Sequence, residues 1–138
     1  MNYEKNEIII RDMMSKDIIE VAALLDSAGL CEEKDATIRI EELLNNKSRI
    51  CIIAEKSNEI VGGLLASYNG FHVFLSHIAI KAEEKRMGIG KLMHNKLLEE
   101  SKKYKAKGII ADCWLTSAGY FYNLGYEIPG AVFLIKTI

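Results

Sequence analysis

Apolar and polar positions change period twice along the chain. Ile8-Ile9-Ile10 reads as a short buried strand. Apolar residues then recur at Ile18, Val21, Ala22 and Leu25, one face of a helix that Ser15 or Asp17 caps and Gly29 stops. A second helix, capped by Asp35 or Thr37, carries Ile40, Leu43 and Leu44 and ends at Asn45-Asn46. The period then shortens to that of strands. Arg49 to Glu55 is a β-branched run, Ser57-Asn58 a turn, and Ile60 to Tyr68 a second strand. Within it, Gly62-Gly63 marks a bulge or a close approach of another backbone. Asn69-Gly70 is a hairpin signal, because both residues tolerate positive φ, and Phe71 to Lys81 follows as a longer strand. Helical spacing returns with Ile89, Leu92, Met93, Leu97 and Tyr104.

Ile109 to Trp114 reads as the next strand. Thr116 or Ser117 caps a short helix to Leu124, closed by Gly125, and Tyr126 to Ile138 reads as two short strands around Pro129-Gly130. The expectation is an α/β fold with a mixed, mostly antiparallel central sheet of six to seven strands, flanked by about four helices. The strand, crossover helix and strand around Leu92 to Tyr104 require one parallel pair.

Length and composition narrow the classes. A chain of 138 residues is expected to form one domain, 1–138, and can bury roughly 68–70% of its unfolded surface without staples. The formal net charge of −1 gives no basic footprint for nucleic acid. No apolar run approaches the roughly 20 residues that span a membrane. Met1 to Glu7 is polar and unlike a secretory signal. Cys31, Cys51 and Cys113 are odd in number and lack metal-ligand spacing, so reduced thiols, no metal and a cytoplasmic setting are expected.

The chemistry concentrates in Lys85-Arg86-Met87-Gly88-Ile89-Gly90-Lys91, between the strand run and the long helix. Two glycines one residue apart let the backbone approach a ligand and expose its N–H donors. At a helix N-terminus those donors and the helix dipole favour phosphate, and Lys85, Arg86 and Lys91 add charge for the same anion. The loop is neither a Walker loop nor the dinucleotide fingerprint G-x-G-x-x-G. A small molecule carrying pyrophosphate is the expected ligand.

The order of elements, the alternating Ile78-Ala79-Ile80, the loop Lys85 to Gly90 and the late segment Tyr120-Phe121-Tyr122-Asn123-Leu124-Gly125-Tyr126 together resemble the GNAT superfamily of N-acetyltransferases. The loop is similar to the family's R/Q-x-x-G-x-G/A pattern, with Lys85 in the place of arginine or glutamine. The late segment is similar to F-Y-x-x-L-G-F/Y. The resemblance implies the acyl-CoA N-acyltransferase fold and acetyl-CoA as co-substrate. Backbone groups of Ile78, Ala79 and Ile80 would hold the pantetheine arm, and amides from Lys85, Arg86, Met87, Gly88, Ile89, Gly90 and Lys91 would wrap the pyrophosphate. It implies direct attack on the thioester by a primary amine of a small molecule or peptide, with a tyrosine of the late helix helping the thiolate leave. Four residues before Gly125, where that tyrosine usually stands, this chain has Phe121. A helix one residue shorter gives the role to Tyr122; strict spacing gives it to none. Tyr122 is preferred, as general acid and cofactor contact. The alternative is a CoA-binding sensor or subunit without transferase activity. Neither reading involves nucleic acid or membrane, and monomer and homodimer stay open.

His77 is a candidate general base, since an unperturbed imidazole titrates near 6.5. The plainer reading, a strand histidine facing solvent or a polar neighbour, is preferred. His72 and His94 read as surface residues, Glu83 and Glu84 as solvated, and Cys113 as a buried thiol. Tyr68 and Ser67 line an amine pocket or simply pack, and Trp114 and Phe121 read as core or pocket wall.

Overall fold

The computed structural model describes residues 7–113 and 115–138. Met1 to Asn6 and Trp114, with the readings placed on them, lie outside the described residues. The elements run β1 (Ile8–Asp12), α1 (Ile18–Ser27), α2 (Glu33–Leu44), β2 (Arg49–Lys56), β3 (Glu59–Tyr68), β4 (Val73–Ile80), α3 (Ile89–Lys103), β5 (Ile109–Ala111) and α4 (Ala118–Asn123). One sheet holds the described strands in the order β1-β2-β3-β4-β5. The first four pair antiparallel, and β5 pairs parallel with β4 after the α3 crossover, as expected.

Period-two alternation sorts the sheet between two helical layers. Cys51 and Ile53 of β2 and Leu65 of β3 meet α1 and α2, where Val21, Ala22, Leu25 and Ile40 are buried. Ile50, Ile52 and Ala54 of β2 and Leu64 and Ala66 of β3 point to the other face, against Ile89, Met93 and Leu97 of α3 and Phe121 of α4. Gly62-Gly63 is where the helices come closest. A Cβ at Gly62 would lie 2.9 Å from Met93 Cε, and one at Gly63 would lie 3.2 Å from Val21 Cγ1. The register between β2 and β3 also shifts here, so Val61 bulges. The bulge thus falls one residue before the glycine pair, and what approaches the pair is side chains of α1 and α3 rather than another backbone.

Several expectations are corrected. The sheet has five strands among the described residues, not six to seven. Residues 127–138 form no strand, since no hydrogen bond links them to the sheet and nothing completes a ladder. Asn69-Gly70 does not make a two-residue turn. Tyr68 pairs with Val73, and the Asn69 side chain accepts from the Phe71 and His72 amides, which lengthens the loop and delays β4 to Val73. The Ser57-Asn58 turn is as expected, with φ of +53° and +63°. Helix α2 starts before Asp35, because the Asp26 carboxylate accepts from the Glu33 amide at 2.8 Å and caps it from outside.

Asp17 ties β1 to α1. Its carboxylate takes two hydrogen bonds from Arg11, at 2.8 and 2.9 Å, and one from the Met14 amide at 2.8 Å, while the residue is 3% exposed. Arg11 also reaches Glu55 of β2. The Arg11 hydrogen bonds hold the Asp17 carboxyl below the usual carboxylate range despite burial. Asp17→Asn should therefore cost about 1.5–3 kcal/mol near neutral pH, measured by urea unfolding. A depressed folded-state pKa gives stability that is complete above the unfolded value of about 3.9 and lost as pH falls through the folded value. The gap between wild type and variant should close toward pH 3.

Candidate functional site

Strand β4 carries the site, and a bulge shapes it. Leu65 pairs with His77 and Ala66 with Leu75, so Ser76 is the extra residue. The insertion flips the phase of the strand. Before it, Val73 and Leu75 face α3; after it, Ile78 and Ile80 do, and Ala79 joins the α1–α2 face. Ser76 and His77 both line a cavity of about 100 Å³ on the α1–α2 side, walled by Leu25, Ile40, Leu43 and Leu65. The Ser76 hydroxyl donates to the Leu65 carbonyl at 3.2 Å and lies 2.9 Å from His77 Nδ1. Burial lowers the His77 pKa, and Asp112 opposes this, so the imidazole is neutral near pH 7. A larger cavity of about 360 Å³, near Met13, Glu41 and Arg49, shares no residue with β4 or the glycine loop.

The bulge also marks where β4 and β5 part. Their ladder runs from Val73–Ile109 to Leu75–Ala111 and stops, while β4 continues to Ile80 paired with β3 alone. The backbone edge of β4 from His77 to Ile80 therefore has no strand beside it among the described residues.

The loop follows at the end of that strand. A 3₁₀ turn at Ala82–Glu84 leads to Arg86 and Gly88, both left-handed at φ +69° and +79°, and α3 begins at Ile89. Gly88 supplies no side-chain cap, and the amides of Arg86 through Lys91 have no hydrogen-bond acceptor among the described residues. Lys85, Arg86 and Lys91 are exposed and form no ion pair among the described residues. Glu84 is not a solvated carboxylate: it bonds Lys56 Nζ of β2 at 3.0 Å and anchors the loop to the sheet. The Lys81 amide donates to the Val61 carbonyl at 2.8 Å at the same root.

The match to the acetyltransferase (GNAT) family model covers residues 18–126, most of the chain. The chain belongs to the GNAT family of acetyltransferases. Solved structures agree on the fold. An aminoglycoside N-acetyltransferase AAC(6')-Iy in complex with CoA is 17% identical, covering 96% of this chain and 95% of that one, with a TM-score of 0.83. An aminoglycoside 6'-N-acetyltransferase AAC(6')-Ih from Acinetobacter baumannii is 19% identical, with 96% and 99% covered and a TM-score of 0.82. A ribosomal-protein-alanine N-acetyltransferase from Brucella melitensis biovar Abortus 2308 is 16% identical, with 95% and 100% covered and a TM-score of 0.77. No group of three or more potential metal-ligating side chains occurs among the described residues of this GNAT chain, and no helix there is long and apolar enough to cross a membrane.

Not every sequence-predicted residue reaches the free edge of β4. Ile78, Ala79 and Ile80 lie on the stretch of β4 that β5 leaves unpaired, and Lys85 to Lys91 follow that strand into α3. Phe121, at the usual tyrosine position, is 7% exposed in the α3-side core, and Tyr122 beside it is 48% exposed. Tyr120 is the residue the sequence did not single out. A Cβ at Gly90 would collide with its hydroxyl and lie 3.1 Å from Ile80 Cδ1, so this phenol stands where α3 begins and β4 ends. Burial raises its pKa, keeping it a donor. Its only sequence signal was adjacency to Phe121. Tyr68 stacks on Tyr104 at 4.7 Å and donates to the Gly70 carbonyl, a packing role. Cys113 is exposed rather than buried, because β5 ends two residues before it.

His94 is buried, not on the surface: it faces inward from α3, 2.7 Å from the Tyr126 hydroxyl, with the two rings edge to face. Burial lowers the histidine pKa and pushes Tyr126 up to about 12, so the phenol donates to a neutral Nε2. Both His77 and His94 are held neutral. The unfolded chain binds protons more readily near pH 6.5, and stability should fall as pH drops below that value. Thermal melts from pH 7.5 to 5 should show the decline, and His94→Gln should flatten part of it.

Proposed function

We propose that this GNAT chain, as one domain spanning 1–138, transfers the acetyl group of acetyl-CoA to a primary amine by direct attack in a ternary complex. The observation that carries the reading is the loop after β4. Six consecutive amides without acceptors and three cations without ion pairs, among the described residues, follow the stretch of β4 that β5 leaves unpaired. Such a cradle fits a pyrophosphate, and the CoA complex of a chain sharing this fold is in keeping with it. Lys85, Arg86, Met87, Gly88, Ile89, Gly90 and Lys91 would hold the pyrophosphate, and the free edge of β4 at Ile78 to Ile80 the pantetheine arm. Bound acetyl-CoA would supply an activated thioester. The acceptor amine would enter from the His77 cavity, on the face opposite α3.

Neutral His77, held by the Ser76 hydroxyl, would take the amine's proton at Nε2. Tyr122, exposed and with no side-chain hydrogen bond among the described residues, would donate its phenol proton to the departing thiolate. Tyr120, at the Gly90–Ile80 junction, would position the cofactor. The candidate acceptors are a small metabolite, an antibiotic, a peptide N-terminus or a protein lysine, and aminoglycoside and ribosomal-protein enzymes both share the fold. The burial of Phe121 at the usual tyrosine position favours a second reading, a CoA-binding subunit without transferase activity.

Two experiments test this. Saturating CoA, at about a hundred times its Kd, should add about 2.7 kcal/mol of stability and raise the melting temperature. Gly88→Ala, which forces a side chain into φ +79°, should weaken that shift. No CoA-dependent shift in the wild-type chain would remove the loop assignment. In turnover assays against an amine panel, Tyr122→Phe should lower kcat about 10²–10⁴-fold, as loss of a proton donor does, at unchanged KM for acetyl-CoA. Tyr120→Phe should raise that KM instead. Tight CoA binding with no turnover on any amine would establish the second reading.

A further inference from the structure

The cavity beside His77 is small, apolar and one-sided in charge. Leu25, Ala36, Ile40, Leu43 and Leu65 wall it, and four of these are 4% exposed or less. An apolar cavity of about 150 Å³ takes a benzene ring, so one of about 100 Å³ takes on the order of four carbons.

Arg39 of α2 is its cationic lining residue, and no aspartate or glutamate lines it among the described residues. Arg39 binds Asp35 through Nε, at 2.8 Å, and its two terminal Nη groups have no acceptor among the described residues. A pair of donors in that fork fits a carboxylate. On the other wall stands the His77 imidazole, and the charge of Asp112, one residue past β5, acts on it and favours an ammonium there.

A ligand that meets these three features carries an amine, a carboxylate and a short aliphatic body. A polycation meets the wrong sign: beside Arg39, with no lining carboxylate, its further ammonium groups go unpaired. A peptide N-terminus presents an amide where the carboxylate would stand.

We propose that the cavity takes a free α-amino acid with a short aliphatic side chain, the size of valine or leucine, as the acceptor. Its side chain would lie among Leu25, Ile40 and Leu65, its carboxylate on Arg39 and its amine at His77. The fate of that amine rests on the acetyl-transfer reading; the binding does not. In transfer the ammonium gives one proton to solvent and a second to His77, its nitrogen bonds the acetyl carbon, and the carbon–sulfur bond breaks. The thiolate takes the Tyr122 proton, solvent carries the His77 proton back to Tyr122, and the N-acetyl amino acid and CoA leave.

Titration calorimetry on the full chain with CoA present tests the site, using leucine, leucinamide and an aminoglycoside, while thiol release from acetyl-CoA tests transfer to each. Leucine should bind at least tenfold more tightly than leucinamide, and the aminoglycoside should not bind. Arg39→Gln, on an exposed face of α2, should weaken leucine at least tenfold and erase the preference over leucinamide. Cys31 lines the same cavity, so bound leucine should slow its alkylation, read by mass spectrometry of its peptide. Failure of leucine to bind, equal binding of leucinamide, or turnover of the aminoglycoside in preference to leucine would overturn the amino-acid site. So would leucine binding that leaves Cys31 unprotected and is indifferent to Arg39→Gln. Leucine binding with thiol release on no amine would instead overturn acetyl transfer and leave the site standing, in a CoA-binding sensor.

Discussion

Hydrogen bonding between β4 and β5 lasts for three residue pairs, and it ends where Ser76 bulges from the ladder with β3. That single extra residue has two effects. It turns His77 away from α3 and into the α1–α2 cavity, and it coincides with the point where β4 loses its outer neighbour. A continuous ladder would seal the backbone of Ile78 to Ile80 and bury an imidazole against Met93 and Leu97. Parallel pairing makes the early parting inexpensive, since slanted parallel bonds are slightly less stable per residue and the antiparallel side toward β3 stays paired. The opening beside β4 is thus an interruption in an otherwise regular sheet, and the rest of the fold holds its rim steady.

The helix start depends on the same strand. Gly62 lets Met93 and Ile89 settle onto β3, which fixes where α3 begins relative to the end of β4. The chain between them has only eight residues, 81–88, in which to reverse. It does so with Arg86 in a conformation that L side chains avoid, at a cost of order 1–3 kcal/mol. The Lys56–Glu84 pair and the Lys81–Val61 bond offset part of that cost at the root of the loop. The unmet amides then point outward because the helix direction leaves them no partner. An anion at this place would supply the acceptor those amides lack and draw on the charge of the three exposed cations.

What was legible in the sequence follows from local physics. The β-branched run of β2, the Ser57-Asn58 turn, the helix stops at Gly29 and Gly125 and the α3 stripe at Ile89, Met93 and Leu97 are properties of short segments and were read correctly, although Leu92, read into the same stripe, is exposed. The glycine loop was legible for the same reason. Long-range facts were not. Glu84 reads as solvated until Lys56 is seen beside it, and His94 reads as a surface residue until Tyr126 folds onto α3. The Ser76 bulge has no glycine to mark it, so the facing of His77 was not available from its neighbours. The tail misled for the opposite reason: its strand propensity is real, but a strand needs an edge to pair with, and propensity supplies none.

Helix α4 shows why a one-residue difference near the end of β4 matters. Successive residues on a helix are about 100° apart, so with Phe121 turned into the core, Tyr120 and Tyr122 diverge from it on opposite sides. One hydroxyl lies over Gly90, and the other side chain is open to solvent. The two phenols cannot converge on one atom of a ligand, so they must serve different parts of it or only one serves at all. A hydroxyl added at position 121 would not restore the usual arrangement. It would enter an apolar cluster against Tyr126, where an unpaired phenol costs stability and gains no contact with the free edge of β4. If this chain releases a thiolate with the help of a tyrosine, the donor must therefore be a neighbour of the residue that normally supplies it.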